Sequence, residues 1–128
     1  MDSGFAAALE GRGTALACMT TASEPFRCDV LPAGDARVVL RPVGELDLAT
    51  APEVDRQLER LRAAGCTELV LDLRAVPFMD SSGLRVVLRW NELAAKNGCA
   101  FALIRGPELV QRVFQATRVA DALRFTEA

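Results

Sequence analysis

The stretch Glu68-Leu69-Val70-Leu71-Asp72-Leu73-Arg74-Ala75-Val76-Pro77-Phe78-Met79-Asp80-Ser81-Ser82-Gly83-Leu84 decides how this chain folds. Its opening six residues hold a central apolar run, the pattern of a strand buried in a sheet. A short loop then crosses to Asp80-Ser81, where a helix begins. That helix runs to Asn97-Gly98, with Leu84, Val87, Leu88, Leu93 and Ala95 on a broad apolar arc. Ala100–Ile104 follows as a second buried strand. A strand, a helix and a strand spaced over roughly 30 residues demand a right-handed crossover between parallel neighbours.

The same logic extends in both directions. Upstream, Thr50-Ala51-Pro52-Glu53 opens another helix: Thr50 can cap, Pro52 tolerates the first turn, and Glu53 sits where a capping box requires it. Val54, Leu58 and Leu61 then recur at helical spacing, and Gly65 suits a left-handed stop. Phe26–Leu31 and Arg37–Val43 read as strands joined by the turn residues Pro32-Ala33-Gly34-Asp35, a connection short enough to force an antiparallel pair. Pro42 has no N–H and belongs at an edge or a bulge. Downstream, Gly106-Pro107-Glu108 starts a third helix with the pairs Leu109/Val113 and Val110/Phe114, and Leu123–Phe125 reads as a short last strand. The order predicts an α/β fold: a mixed β-sheet with an antiparallel first hairpin and parallel β-α-β crossovers, covered by amphipathic helices.

At 128 residues, half of them apolar and a quarter charged, the chain has the size and balance of one ordinary globular domain. Residues 25–128 form that domain. Residues 1–24 are predicted as a flexible N-terminal arm, with apolar pieces at Ala6–Leu9 and Ala15–Met19 that can dock. Asp2, Glu10 and Glu24 against Arg12 give this arm the whole net charge of −2. The chain has no secretory leader pattern, no apolar run long enough to span a bilayer and no cluster of Lys and Arg. A nucleic-acid surface and membrane insertion are therefore both disfavoured. Histidine and tyrosine are absent; the lack of histidine removes Ser-His-Asp and Cys-His catalysis and the common His-containing zinc sites. Cys18, Cys28, Cys66 and Cys99 form no CxxC pair and read as reduced, mostly buried thiols of a cytoplasmic protein.

Two loops can carry chemistry. A phosphate on Ser81 would sit at the start of a helix, where unpartnered N–H groups favour an anion, and would place strong negative charge beside Asp80. The same residues also suit a plain N-cap, worth about 1 kcal/mol. Glu45, Asp47 and Thr50 lie in a second polar loop, and both loops follow the carboxyl ends of strands, where open α/β sheets bind ligands. Asp47 and Thr50 equally suit a cap and turn. Without a third ligand or a histidine, these carboxylates are a poor metal or acid/base site. Trp90 either packs at the edge of the core or stands exposed as a partner anchor.

Gly44-Glu45-Leu46-Asp47, a capped helix, Leu71-Asp72-Leu73 and Phe78-Met79-Asp80-Ser81-Ser82-Gly83-Leu84 in this order closely resemble the STAS domain of anti-sigma factor antagonists, over about residues 26–126. The resemblance implies a bacterial partner-switching protein with no catalytic activity, cofactor or metal. Ser81 would be the phosphoacceptor of a serine-kinase anti-sigma factor, and a serine phosphatase would reverse the modification. Glu45, Asp47, Thr50, Asp80, Ser82 and Gly83 would form the partner-docking surface. The unmodified form binds the anti-sigma factor and frees a sigma factor; the phosphorylated form is released. Against the family pattern, the arm is long and the usual final helix is missing. The surface so left open would be covered by the arm or by a second copy in a homodimer. A constitutive STAS scaffold of a larger complex, and a nucleotide or small-ligand sensor, remain as other readings.

Overall fold

The structure is a computed structural model that describes residues 25–127. The arm expected over residues 1–24 lies outside the described residues. Strands β1 (Arg27–Pro32) and β2 (Arg37–Val43) pair antiparallel, with Val30 opposite Leu40. Next come α1 (Ala51–Ala63), β3 (Glu68–Asp72), α2 (Ser81–Lys96), β4 (Ala100–Ile104) and α3 (Glu108–Ala116). A 3₁₀ turn at Ala120–Ala122 leads to β5 (Phe125–Thr126). The sheet runs β1-β2-β3-β4-β5, and every pair after the first is parallel. This is the mixed α/β sheet that the sequence predicts, with the first strand shifted one residue toward the C-terminus and the last starting two residues later and ending one later than expected.

All three crossovers step the same way along the sheet, so right-handed connections place all three helices on one face. On that face Val38, Leu40, Leu69, Leu71, Phe101 and Leu103 join Val54, Leu58, Val87, Trp90, Val110 and Phe114 in one core. The alternate strand positions point the other way. There Leu31, Val39, Val70 and Ala102 line up across four strands, beside Arg41, Asp72 and Ile104. Pro42 costs the ladder nothing. The β2–β3 register ends at Leu40 opposite Leu71, while Gly44 N–H on the same side donates to Ala75 O at 3.1 Å. The proline nitrogen falls in the gap between them.

Three local expectations are corrected, and the choice left open at Trp90 is settled. Thr50 makes no side-chain cap, and Glu53 turns forward to Arg56 and Gln57, so no capping box forms. On α2 the buried face is Gly83, Leu84, Val86, Val87, Trp90 and Ala94, so Leu84 and Val87 are buried as expected while Ala95 is exposed and Leu88 and Leu93 are half-buried. The buried face is centred on the large indole, which turns the Leu88, Leu93 and Ala95 side of the expected arc outward. Trp90 is fully buried because its Nε1–H donates to Asp55 Oδ1 on α1 at 2.7 Å, which rules out the exposed anchor. Among the described cysteines only Cys28 is buried; Cys66 and Cys99 follow helix ends and are half-exposed, and Cys18 lies outside the described residues.

Candidate functional site

After β2 the chain does not turn away at once. Gly44 adopts a positive φ of 121°, which favours glycine, and Leu46 then forms a parallel bridge with Met79. Leu46 N–H donates to Phe78 O at 2.9 Å, and Asp80 N–H donates back to Leu46 O at 3.1 Å. Leu46 is fully buried and Met79 nearly so, so this contact is an apolar clamp with a backbone bond on either side. It joins loops more than thirty residues apart and sets Glu45 and Asp47 alongside Asp80 and Ser81.

Gly83 closes the clamp from α2. A Cβ there would stand 2.6 Å from Met79 Cγ and 2.8 Å from Leu46 Cγ, closer than carbon atoms approach without displacement. Its role is therefore packing beneath the site, so its place among the expected docking residues is indirect. Sequence reading located this glycine but carried no signal for what presses on it.

The polar residues divide by how their atoms are used. Asp47 Oδ1 accepts from Ala49 N–H at 3.0 Å and Thr50 N–H at 3.2 Å, and Asp47 O accepts from Ala51 N–H at 2.8 Å. Thr50 Oγ1 donates to Glu45 O at 2.7 Å and accepts from Asp47 N–H at 2.9 Å. These two residues hold the turn into α1. Asp80 has extended backbone and caps α2, its Oδ1 accepting from Ser82 N–H at 2.8 Å. Ser82 is half-buried behind that cap. Glu45 and Ser81 are different: both are exposed, and neither side chain has a hydrogen bond or ion pair among the described residues.

At the end of β3, Asp72 is fully buried yet charged. It accepts from Arg41 Nε at 3.0 Å, Arg74 Nη2 at 3.0 Å and Arg74 backbone N–H at 3.0 Å. Burial is the largest single influence on its carboxyl and pushes the pKa up. The hydrogen bonds from Arg74 and Arg41, with the charge of Arg74, together outweigh it, and the group titrates below the usual carboxylate range. Burial raises the Cys66 thiol pKa, which favours its protonated form. Among the described residues no three His, Cys, Asp or Glu side chains are grouped to hold a metal ion, and no helix is long and apolar enough to cross a membrane.

The chain and its α/β sheet match a known family. The STAS domain family model matches residues 30–128, and the chain belongs to that family. It is 27% identical over 84 residues to the anti-sigma-B factor antagonist of Staphylococcus aureus (strain NCTC 8325 / PS 47), covering 66% of this chain and 78% of that one. Its fold is similar to the unphosphorylated anti-sigma factor antagonist SpoIIAA, with TM-score 0.66 and 23% identity over 81% of this chain and 88% of that one. It also resembles the Bacillus cell fate determinant SpoIIAA in its phosphorylated form, with TM-score 0.62 and 21% identity over 81% of this chain and 91% of that one.

Proposed function

We propose that this protein is an anti-sigma factor antagonist working by partner switching in the cytoplasm, with no catalytic activity of its own. Unphosphorylated, it binds a serine-kinase anti-sigma factor through the Glu45 and Ser81 loops and so frees a sigma factor. The kinase phosphorylates Ser81, the complex parts, and a serine phosphatase resets the switch.

The observation that carries this reading is the division of labour at the start of α2. Asp80 already caps the helix, so Ser81 Oγ is exposed and uncommitted. A phosphate there breaks no internal contact, gains from the N-terminal field of α2, and adds about −1.5 to −2 charge to the docking surface. The fold tolerates the modification and the interface does not. The curated relative named an anti-sigma-B factor antagonist supports the same role.

The test is calorimetric titration of the purified chain against each serine-kinase anti-sigma factor encoded in the same genome. Ser81→Ala is expected to bind one of them like wild type and to resist phosphorylation, while Ser81→Asp binds at least tenfold more weakly. Equal binding by wild type and Ser81→Asp refutes the switch. Function unchanged by both substitutions would point instead to a constitutive scaffold.

A further inference from the structure

Between α1 and α2, beside Ser82, lies a groove of about 250 Å³. Its walls are apolar, from Leu48, Pro52 and Val86, and its charged rim is Asp55, Arg85 and Arg89. Leu48 is 75% exposed, the most exposed of the large apolar side chains described. The rim charges are unequal in their commitments. Asp55 accepts from Arg89 Nε at 3.1 Å and from Trp90 Nε1 at 2.7 Å, so that acid and that base are spent on each other. Arg85 is exposed and has no hydrogen bond or ion pair among the described residues. The groove thus offers one apolar slot and one unspent positive charge. Its volume falls below the roughly 300–1,000 Å³ of small-molecule sites, but suits a single side chain.

We infer that this groove receives an apolar side chain of the anti-sigma factor, with a neighbouring carboxylate of that partner on Arg85. The inference rests on the partner-switching reading above and gives the switch a second contact. Charge complementarity selects the occupant: a slot with a net positive rim favours an acidic, apolar-tipped segment over a basic one. The groove is also continuous with the phosphoacceptor loop, since Ser82 lines it. Ser81 and Arg85 stand four residues apart on α2, the spacing at which helical side chains meet. A phosphate on Ser81 therefore competes for the guanidinium that the partner carboxylate needs, because Arg pairs strongly with either anion. Phosphorylation removes the partner's anchor as well as repelling it.

The experiment uses the full chain and the anti-sigma factor that wild type binds, with circular dichroism to verify folding of each variant. Leu48 and Arg85 are exposed, so substitution there leaves the core intact. Leu48→Ala and Arg85→Ala are each expected to weaken binding about tenfold, the effect of losing an interface anchor. Arg112→Ala, on the exposed side of α3, is expected to bind like wild type. In the Arg85→Ala background, Ser81→Asp is expected to cost no more than about threefold further, because two changes acting on one contact are not additive. Wild-type affinity in both Leu48→Ala and Arg85→Ala overturns the groove while leaving partner switching intact. An undiminished Ser81→Asp effect in the Arg85→Ala background overturns the competition at Arg85. If no anti-sigma factor of the genome binds wild type, the underlying reading fails and the groove assignment fails with it.

Discussion

Replacing Gly83 by Ala should destabilise the protein, although the same change inside a helix ordinarily does the opposite. Alanine gains up to about 1 kcal/mol over glycine through helix propensity and a less flexible unfolded chain. At this position the added methyl meets Met79 Cγ at 2.6 Å and Leu46 Cγ at 2.8 Å. Neither neighbour is a free side-chain end: Leu46 is 0% exposed and held by its own backbone bonds, and Met79 is 2% exposed between Phe78 and Asp80, which make those bonds. Forcing a methyl into packed surroundings costs about 1–3 kcal/mol. Two contacts under 3.0 Å place the cost at the upper end, about 2–3 kcal/mol, so less the helix gain the net loss is about 1–2 kcal/mol, or about 4–8 °C in Tm for each kcal/mol in a domain of this size. Urea unfolding followed by fluorescence of Trp90, the sole tryptophan, measures it directly. Met79→Ala vacates part of the space, so the double variant should lose about 1 kcal/mol less than the two single losses combined. A Gly83→Ala protein as stable as wild type would refute the clamp as described.

Two further outcomes follow from buried polar contacts. Asp72 titrates below the usual carboxylate range in the folded protein. Its stabilising contribution is therefore present above the unfolded value of about 3.9 and is lost as pH falls through the lower folded value. Asp72→Asn should flatten the acid side of a urea-midpoint profile below about pH 4, and an unchanged acid slope would contradict the arginine pairing. Asp55→Ala removes the acceptor of the buried Trp90 N–H. An unsatisfied buried donor costs about 1–3 kcal/mol, while Asp55→Asn, which keeps an oxygen there, should cost less. Equal loss in the two variants by thermal unfolding would remove the hydrogen bond from the account.

What the sequence made legible was local and periodic. Apolar runs at Leu69–Leu71 and Phe101–Leu103 specify buried strands whatever their neighbours do, and a four-residue turn after Pro32 leaves the first pair no choice but antiparallel. The parallel pairings followed because each strand-helix-strand unit is a crossover, and the fixed hand of crossovers sets the side the helices take, though not the order of the strands. The errors lay where a distant residue outbid a local one. Thr50 and Glu53 have the spacing of a capping box, yet Glu45 O lies in reach of the Thr50 hydroxyl and accepts its hydrogen bond. Spacing on its own helix left Trp90 open between a packed core edge and an exposed anchor, because the acceptor that permits its burial is Asp55, thirty-five residues earlier.

The site divides along the same line. Residue types in the Asp80-Ser81 and Glu45–Thr50 loops identified where charge and hydroxyls gather, but not which atoms were already spent. Asp47 and Thr50 satisfy the turn and Asp80 satisfies the helix, so the loops present Glu45 and Ser81 outward. The Leu46–Met79 bridge, with the Gly44 N–H bond to Ala75 O, brings those two loops side by side, and its register depends on strands that meet across the sheet. Arg85 is the extreme case. On its own helix it is an ordinary surface cation. It acquires a role only because Asp55 has already neutralised Arg89 next to it and α1 supplies the opposite wall, relations that no periodicity within one helix can encode.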